Sequence, residues 1–142
     1  MLKEKIYKIP VIGPLAIKIY RRLTGKKDFT TSNKYWEDRY KAGGNSGTGS
    51  YNELASFKGE IINEFVSQNN VESVIEFGCG DGNQLKYFKF KSYTGFDISP
   101  TIIESCIKLY KSDPSKQFRL MDTPVEHKVD LTMSLDVIYH LV

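Results

Sequence analysis

Residues 74–85 read VIEFGCGDGNQL, and this stretch limits the fold more than any other. An apolar run of strand character ends at Glu76–Phe77. Gly78, Gly80 and Gly82 then alternate with Cys79 and Asp81, and a helical pattern follows. Glycine at a strand-to-helix junction lets the backbone take positive φ and lets a ligand come close. The helix that follows presents free N–H groups at its start. Such a junction belongs to a sheet whose strands are joined by crossover helices.

The rest of the chain keeps that rhythm. VESVIEF, SYTGFDI, QFRLMD and VDLTMSL read as four strands. A short helix is expected around NQLKYFK, a longer one over TIIESCIKLYKS capped by Ser99 and Pro100, and a third opening at DVIYHLV. Strands alternating with helices predict an α/β fold with a parallel sheet. Upstream, Thr31 or Ser32 is expected to cap a helix carrying Tyr35, Trp36 and Tyr40, stopped by Gly43 and Gly44. NSGTGS reads as a loop. Ser50 and Glu53 form a capping-box pattern for a helix whose Leu54, Phe57, Ile61, Ile62 and Phe65 have the spacing of a core face.

Composition matters mainly through its distribution. Residues 1–27 hold eight Lys or Arg and a single acid, net +7; the whole chain is +3, so the remainder carries −4. The chain therefore divides into a basic N-terminal helical arm, 1–27, and a mildly acidic body, 28–142. A net charge this small does not indicate a general nucleic-acid binder. LAIKIYRRLTG in the arm reads as a helix packed on the body with a solvated basic face. Its alternative is a basic amphipathic helix making peripheral contact with an anionic membrane surface. No apolar run approaches the roughly 20 residues of a membrane span. The two cysteines, Cys79 and Cys106, have no metal-ligand or disulfide spacing, which points to a reduced, cytoplasmic setting and no metal site.

Parallel sheets bind ligands at the carboxyl ends of their strands. Asp97, Asp122 and Asp136 all fall where strands are expected to finish, on the rim that carries the glycine turn. Asp97 lies about twenty residues beyond the first glycine, where a carboxylate can accept both ribose hydroxyls of a nucleoside. That geometry suits NAD or S-adenosylmethionine. The glycine pattern is GxGxG, not the dinucleotide GxGxxG, and Asp81 would repel a pyrophosphate. A cationic, phosphate-free ligand suits the turn better, with Glu76 and Asp81 favouring its amino and sulfonium groups. The NAD-dependent oxidoreductase and the non-catalytic cofactor-binding module are the alternatives.

VIEFGCGDGNQL, YTGFDIS, FRLMDTP and VDLTMSLDVIYHL resemble, in order and spacing, motifs I to IV of the class I S-adenosylmethionine-dependent methyltransferases. The resemblance covers about residues 71–142. YWEDRYKAGGNSGTGSYNELASFK is similar to the N-terminal segment of a bacterial small-domain subgroup, in which a Gly/Ser loop folds over the cofactor. The resemblance implies a Rossmann-like doubly wound parallel sheet of order 3-2-1-4 with N-terminal helices, lacking the usual C-terminal strands. On that pattern the chain reads as truncated after motif IV, with strand four as an apolar edge.

It also implies S-adenosyl-L-methionine as cofactor and methyl transfer to a small-molecule acceptor. Glu76, Gly78, Cys79, Gly80 and Gly82 would line the methionine part, Cys79 being by its own chemistry a small buried filler. Asp97 would hold the ribose, Ile98 would flank adenine, and Asp122 with Thr123 would meet the adenine amino group. Ser134 and Leu135 would lie near the transferring methyl. Tyr35, Arg39 and the Gly47–Ser50 loop would close the site. His140 is the candidate catalytic base, with a structural role as its alternative. Asp136 reads as a helix cap, Trp36 and Tyr40 as core aromatics, and the lysines of the body as solvated faces. The acceptor atom and the oligomeric state do not follow from these residues.

Overall fold

The computed structural model describes residues 31–140, together with Ala16, Ile19 and Tyr20, which are helical. The expected arm helix over residues 15–25 otherwise lies outside the described residues. The chain from Thr31 onward forms one compact unit. Its sheet has four parallel strands in the order β3-β2-β1-β4: β1 Ser73–Phe77, β2 Ser92–Asp97, β3 Lys116–Leu120 and β4 Leu131–Met133. The register pairs Glu76 with both Gly95 and Met133, and Asp97 with Leu120. Val74, Ile75 and Glu76 are all buried, the pattern of a central strand covered on both faces. Asp130 sets the start of β4 against β1. Its Oδ2 accepts from the Glu72 and Ser73 backbone N–H groups at 3.0 and 2.9 Å and from Ser73 Oγ at 2.8 Å.

The expected helix after β1 is a single 3₁₀ turn, Gln84–Tyr87. The segment from there to β2 buries Leu85, Phe88 and Phe90, and an aromatic ladder continues from Phe88 through Phe90 and Tyr93 to Phe118 and Tyr110. α1 (Ser32–Lys41) is capped by Thr31, whose Oγ1 accepts from Lys34 N at 3.2 Å. Glu37 of α1 reaches the start of α3 (Pro100–Leu109), accepting from Ser99 Oγ at 2.5 Å and Thr101 Oγ1 at 2.7 Å. Those donors and Lys41 outweigh the cost of burial and lower the Glu37 carboxyl to about 2. β4 is shorter than expected, and the terminal helix is a 3₁₀ turn, Ile138–His140, within the described residues.

α2 (Asn52–Gln68) differs most from expectation. Its large apolar residues face outward: Leu54, Phe57, Ile61 and Phe65 are 48–60% exposed. The buried side is Ala55, Gly59 and Val66, with Ile62 packed partly against the core. The helix carries two stripes at helical spacing, and close approach selects the one with smaller side chains. A Cβ on Gly59 would stand 2.7 Å from Tyr87 Cβ and 3.2 Å from the Tyr87 carbonyl oxygen. Gly59→Ala should therefore lower stability by about 1–2 kcal/mol, although Ala is the better helix former by about 1 kcal/mol. The urea midpoint of the variant measures this. The capping box is also not made. Ser50 lies in a 3₁₀ turn, Thr48–Ser50, and Tyr51 occupies the N-cap position without a side-chain hydrogen bond.

Candidate active site

The strand order reverses between β1 and β4, and a crevice opens there at the carboxyl ends of the strands. Glu76 and Asp97, both 6% exposed, lie on its floor with Gly78, Cys79 and Gly80. The turn is built on positive φ: +84° at Gly78 and +56° at Gly80. The Gly78 and Cys79 N–H groups both donate to Phe96 O, at 2.7 and 2.9 Å, which ties the turn to β2. Neither glycine has room for a side chain, since a Cβ would meet Val137 Cγ2 at 2.3 Å or Ser46 Oγ at 2.2 Å.

Asp97 organises the turn from below. Its Oδ2 accepts from Gly80 N at 3.0 Å and its Oδ1 from Ser99 N at 3.0 Å. Burial raises the Asp97 carboxyl, against the lowering effect of those N–H donors. Burial likewise pushes Glu76 up to about 7, opposed by the Tyr93 hydroxyl, which donates to Glu76 Oε2 at 2.6 Å, and by the charge of Lys58. Cys79 and Cys106 are free thiols in contact under the turn. Their hydrogen bond, and then burial, raises Cys79 well above its usual range.

The crevice walls bring together Glu76, Gly78, Cys79, Gly80, Asp97, Ile98, Leu135 and His140 of the residues singled out in the sequence. Trp36 and Tyr40 line it too, with Trp36 edge-on to the His140 ring at 5.2 Å, so these aromatics are not simply core. Other positions lie off the wall. Gly82 packs on α3, its carbonyl accepting from Tyr110 Oη at 2.8 Å. Ser134 Oγ donates to Phe77 O at 3.0 Å. Asp122 and Thr123 follow β3 in a turn whose crevice residue is Met121. Tyr35 is 43% exposed beside Trp36. Arg39 Nε donates to Asn45 O at 2.6 Å and shapes the loop rather than the wall.

Two assignments change. Asp81 does not face the crevice; its carboxylate is spent on the loop of residues 45–51 and on Asn83 N. Asp136, at φ +58°, is no helix cap: it lines the crevice and forms an ion pair with Lys58, a lysine expected on a solvated face. Gln84 was missed. It is 7% exposed, lines the crevice, and its Nε2 has no partner. Spacing carries no signal for it, because a 3₁₀ turn and not a helix turns Gln84 inward. Among the described residues no cluster of three His, Cys, Asp or Glu suits a metal ion, and no helix is long and apolar enough to cross a membrane.

This floor of buried acids and positive-φ glycines at the switch point has a family counterpart. Residues 75–142 match the profile of the family described as methyltransferase domain. That stretch is just under half of the chain and is similar to the family over that length. Among solved structures, the N-methyltransferase NodS from Bradyrhizobium japonicum, in complex with S-adenosyl-L-homocysteine, is similar at 15% identity. Its TM-score is 0.55, over 72% of this chain and 55% of that one. The methyltransferase domain of bacterial CtHen1-C is similar at 23% identity and TM-score 0.51, over 63% of this chain and 54% of that one. An S-adenosylmethionine-dependent methyltransferase from Clostridium acetobutylicum aligns at 23% identity and TM-score 0.48, over 56% and 36%. The chain spans about a third to just over a half of the length of these structures. At such identities NodS and CtHen1-C establish the shared fold alone, a Rossmann-like α/β sheet whose order here is 3-2-1-4. No curated protein matches the chain.

Proposed function

We propose that the crevice binds S-adenosyl-L-methionine and that the domain transfers its methyl group to a small-molecule acceptor. The observation that carries this reading is the charge of the wall. Among the described residues it holds the carboxylates Glu76, Asp97 and Asp136 and no Lys or Arg. A pyrophosphate would lie against the Glu76 and Asp97 carboxylates, with the nearby Lys58 spent on Asp136, whereas an ammonium and a sulfonium find acceptors. The unpartnered Gln84 amide, on the same wall, suits the ligand's one anionic group, its carboxylate.

When bound, the cofactor supplies an already activated methyl group, so the protein must mainly align the reactants and exclude water. Glu76 and the Gly78–Gly80 turn would hold the methionine part, with Asp97 accepting from the ribose hydroxyls through its remaining lone pairs. Ile98 would flank adenine, and Asp122 and Thr123 would stand at its amino edge. Leu135 and Ser134 would lie beside the methyl. His140, on the wall against Trp36, would take the proton of an acceptor hydroxyl or amine. The same reading keeps the domain cytoplasmic, with the net +7 of residues 1–27 available to an anionic membrane surface.

Calorimetric titration with S-adenosylmethionine and separately with NAD tests it: binding of the first alone supports the reading, and binding of NAD alone overturns it. Turnover on no acceptor despite tight binding would identify a non-catalytic module. Glu76 adds a pH signature. Its carboxyl, raised to about 7, must ionise to meet a cation, so binding releases a proton and strengthens as pH rises. From about pH 5.5 to about pH 7 the affinity should increase about tenfold, and Glu76→Gln should flatten the profile.

A further inference from the structure

Residues 43–51 form a strap across the crevice, and Asp81 is what ties it down. Asp81 Oδ2 accepts from Ser46 N and from Tyr51 Oη, both at 2.8 Å, while Asp81 N donates to Ser46 Oγ at 2.8 Å. Asn83, held by Asp81 Oδ1 at 3.0 Å, donates through Nδ2 to Ser50 O at 2.6 Å. Ser46 and Ser50 of the strap line the crevice; Asp81 does not. On the far side Gly49 lies against Asp136, where a Cβ would stand 2.5 Å from Oδ2. The strap thus runs from the glycine turn on β1 to the end of β4, roofing the switch point. Gly43 and Gly47 have positive φ, and nothing lies within 4 Å of where their Cβ atoms would be. The strap is held by its hydrogen bonds more than by packing at these two points.

We propose that Asp81 is a positioning residue that fastens this strap over the crevice and thereby sets how fast a bound cofactor leaves. The proposal rests on the cofactor reading above. All of the carboxylate's bonds within the strap and turn come from neutral donors, so the latch is breakable, as a strap that must lift for exchange requires. Burial and Asp81 together push the Tyr51 hydroxyl up to about 12, keeping it a donor.

The test uses Asp81→Asn, which preserves shape but sets an amide against donors, and Tyr51→Phe, which removes one donor. Stopped-flow fluorescence of Trp36, the chain's single tryptophan and a wall residue, follows release of S-adenosylhomocysteine. Trypsin cleavage after Lys41, without ligand, follows strap opening. Asp81→Asn should speed both by about tenfold and Tyr51→Phe by about threefold, and the double variant should be no worse than Asp81→Asn. Release and cleavage within about twofold of the parent, even with a lowered melting temperature, overturn the proposal, as do additive effects in the double variant. If the parent chain does not bind S-adenosylhomocysteine, the cofactor reading falls, and cleavage alone decides the latch. If Asp81→Asn does not fold, Tyr51→Phe decides it by the same two measurements.

Discussion

Asp97→Ala is expected to weaken S-adenosylmethionine binding by about a hundredfold or more, near 3 kcal/mol. On the proposed cofactor reading, Asp97 would accept from the ribose hydroxyls in charge-assisted bonds that no neighbouring wall residue replaces, since Glu76 is already engaged by Tyr93. The substitution also strips the Gly80 and Ser99 N–H groups of their acceptor. A buried donor left unpaired costs about 1–3 kcal/mol, so the variant should unfold at lower urea as well. Asp97→Asn separates the two effects. One carboxamide oxygen still accepts from Gly80 or Ser99 while the NH2 faces the other N–H, so only about half of the lost stability should return while affinity stays at least about tenfold down. Calorimetry and urea denaturation on both variants check this. Unchanged affinity in Asp97→Ala would reduce the residue to a turn acid and place the ligand elsewhere.

Gly78→Ala is expected to cost about 3 kcal/mol of stability and to abolish binding with it. The backbone there sits at φ +84°, where a Cβ adds about 1–2 kcal/mol of strain. The same Cβ would stand 2.3 Å from Val137 Cγ2, and overpacking of this kind adds about 1–3 kcal/mol. Relief requires the 136–140 segment to shift, and that segment carries Asp136, Val137 and His140 of the wall. A domain of this size has only about 5–15 kcal/mol in total, so thermal unfolding followed by circular dichroism should show a clear fall. A melting temperature close to the parent's would mean that Val137 yields without cost.

Both predictions concern residues that local patterning identifies. An apolar run ending in GxGxG, followed by a second run ending in an acid, is visible because strand periodicity and glycine placement are local properties. The helix faces are another matter. Leu54, Phe57, Ile61 and Phe65 have the spacing of a core stripe, yet Ala55 and Gly59 turn inward because α2 approaches Tyr87 closely. Burial there follows from interhelical distance, which no periodicity encodes. Ser50 and Glu53 fit a capping box, but the Ser50 carbonyl is claimed by Asn83 and its backbone by a 3₁₀ turn. A local preference lost to a contact made more than thirty residues away.

The acids divide in the same manner. Position along the chain marks Asp97, Asp81 and Asp136 alike as strand-end or turn carboxylates. Only the fold separates them: Asp97 under the glycine turn, Asp81 latched to the strap, Asp136 paired with Lys58. The amino-acid sequence by itself determined the α/β class, the parallel strands and the glycine turn, because these follow from backbone preference and local spacing. The tertiary structure alone decided which face of α2 is buried, which acids meet the crevice and which one fastens its roof. Those outcomes depend on distances between segments far apart in the chain, and on which donors each carboxylate reaches first.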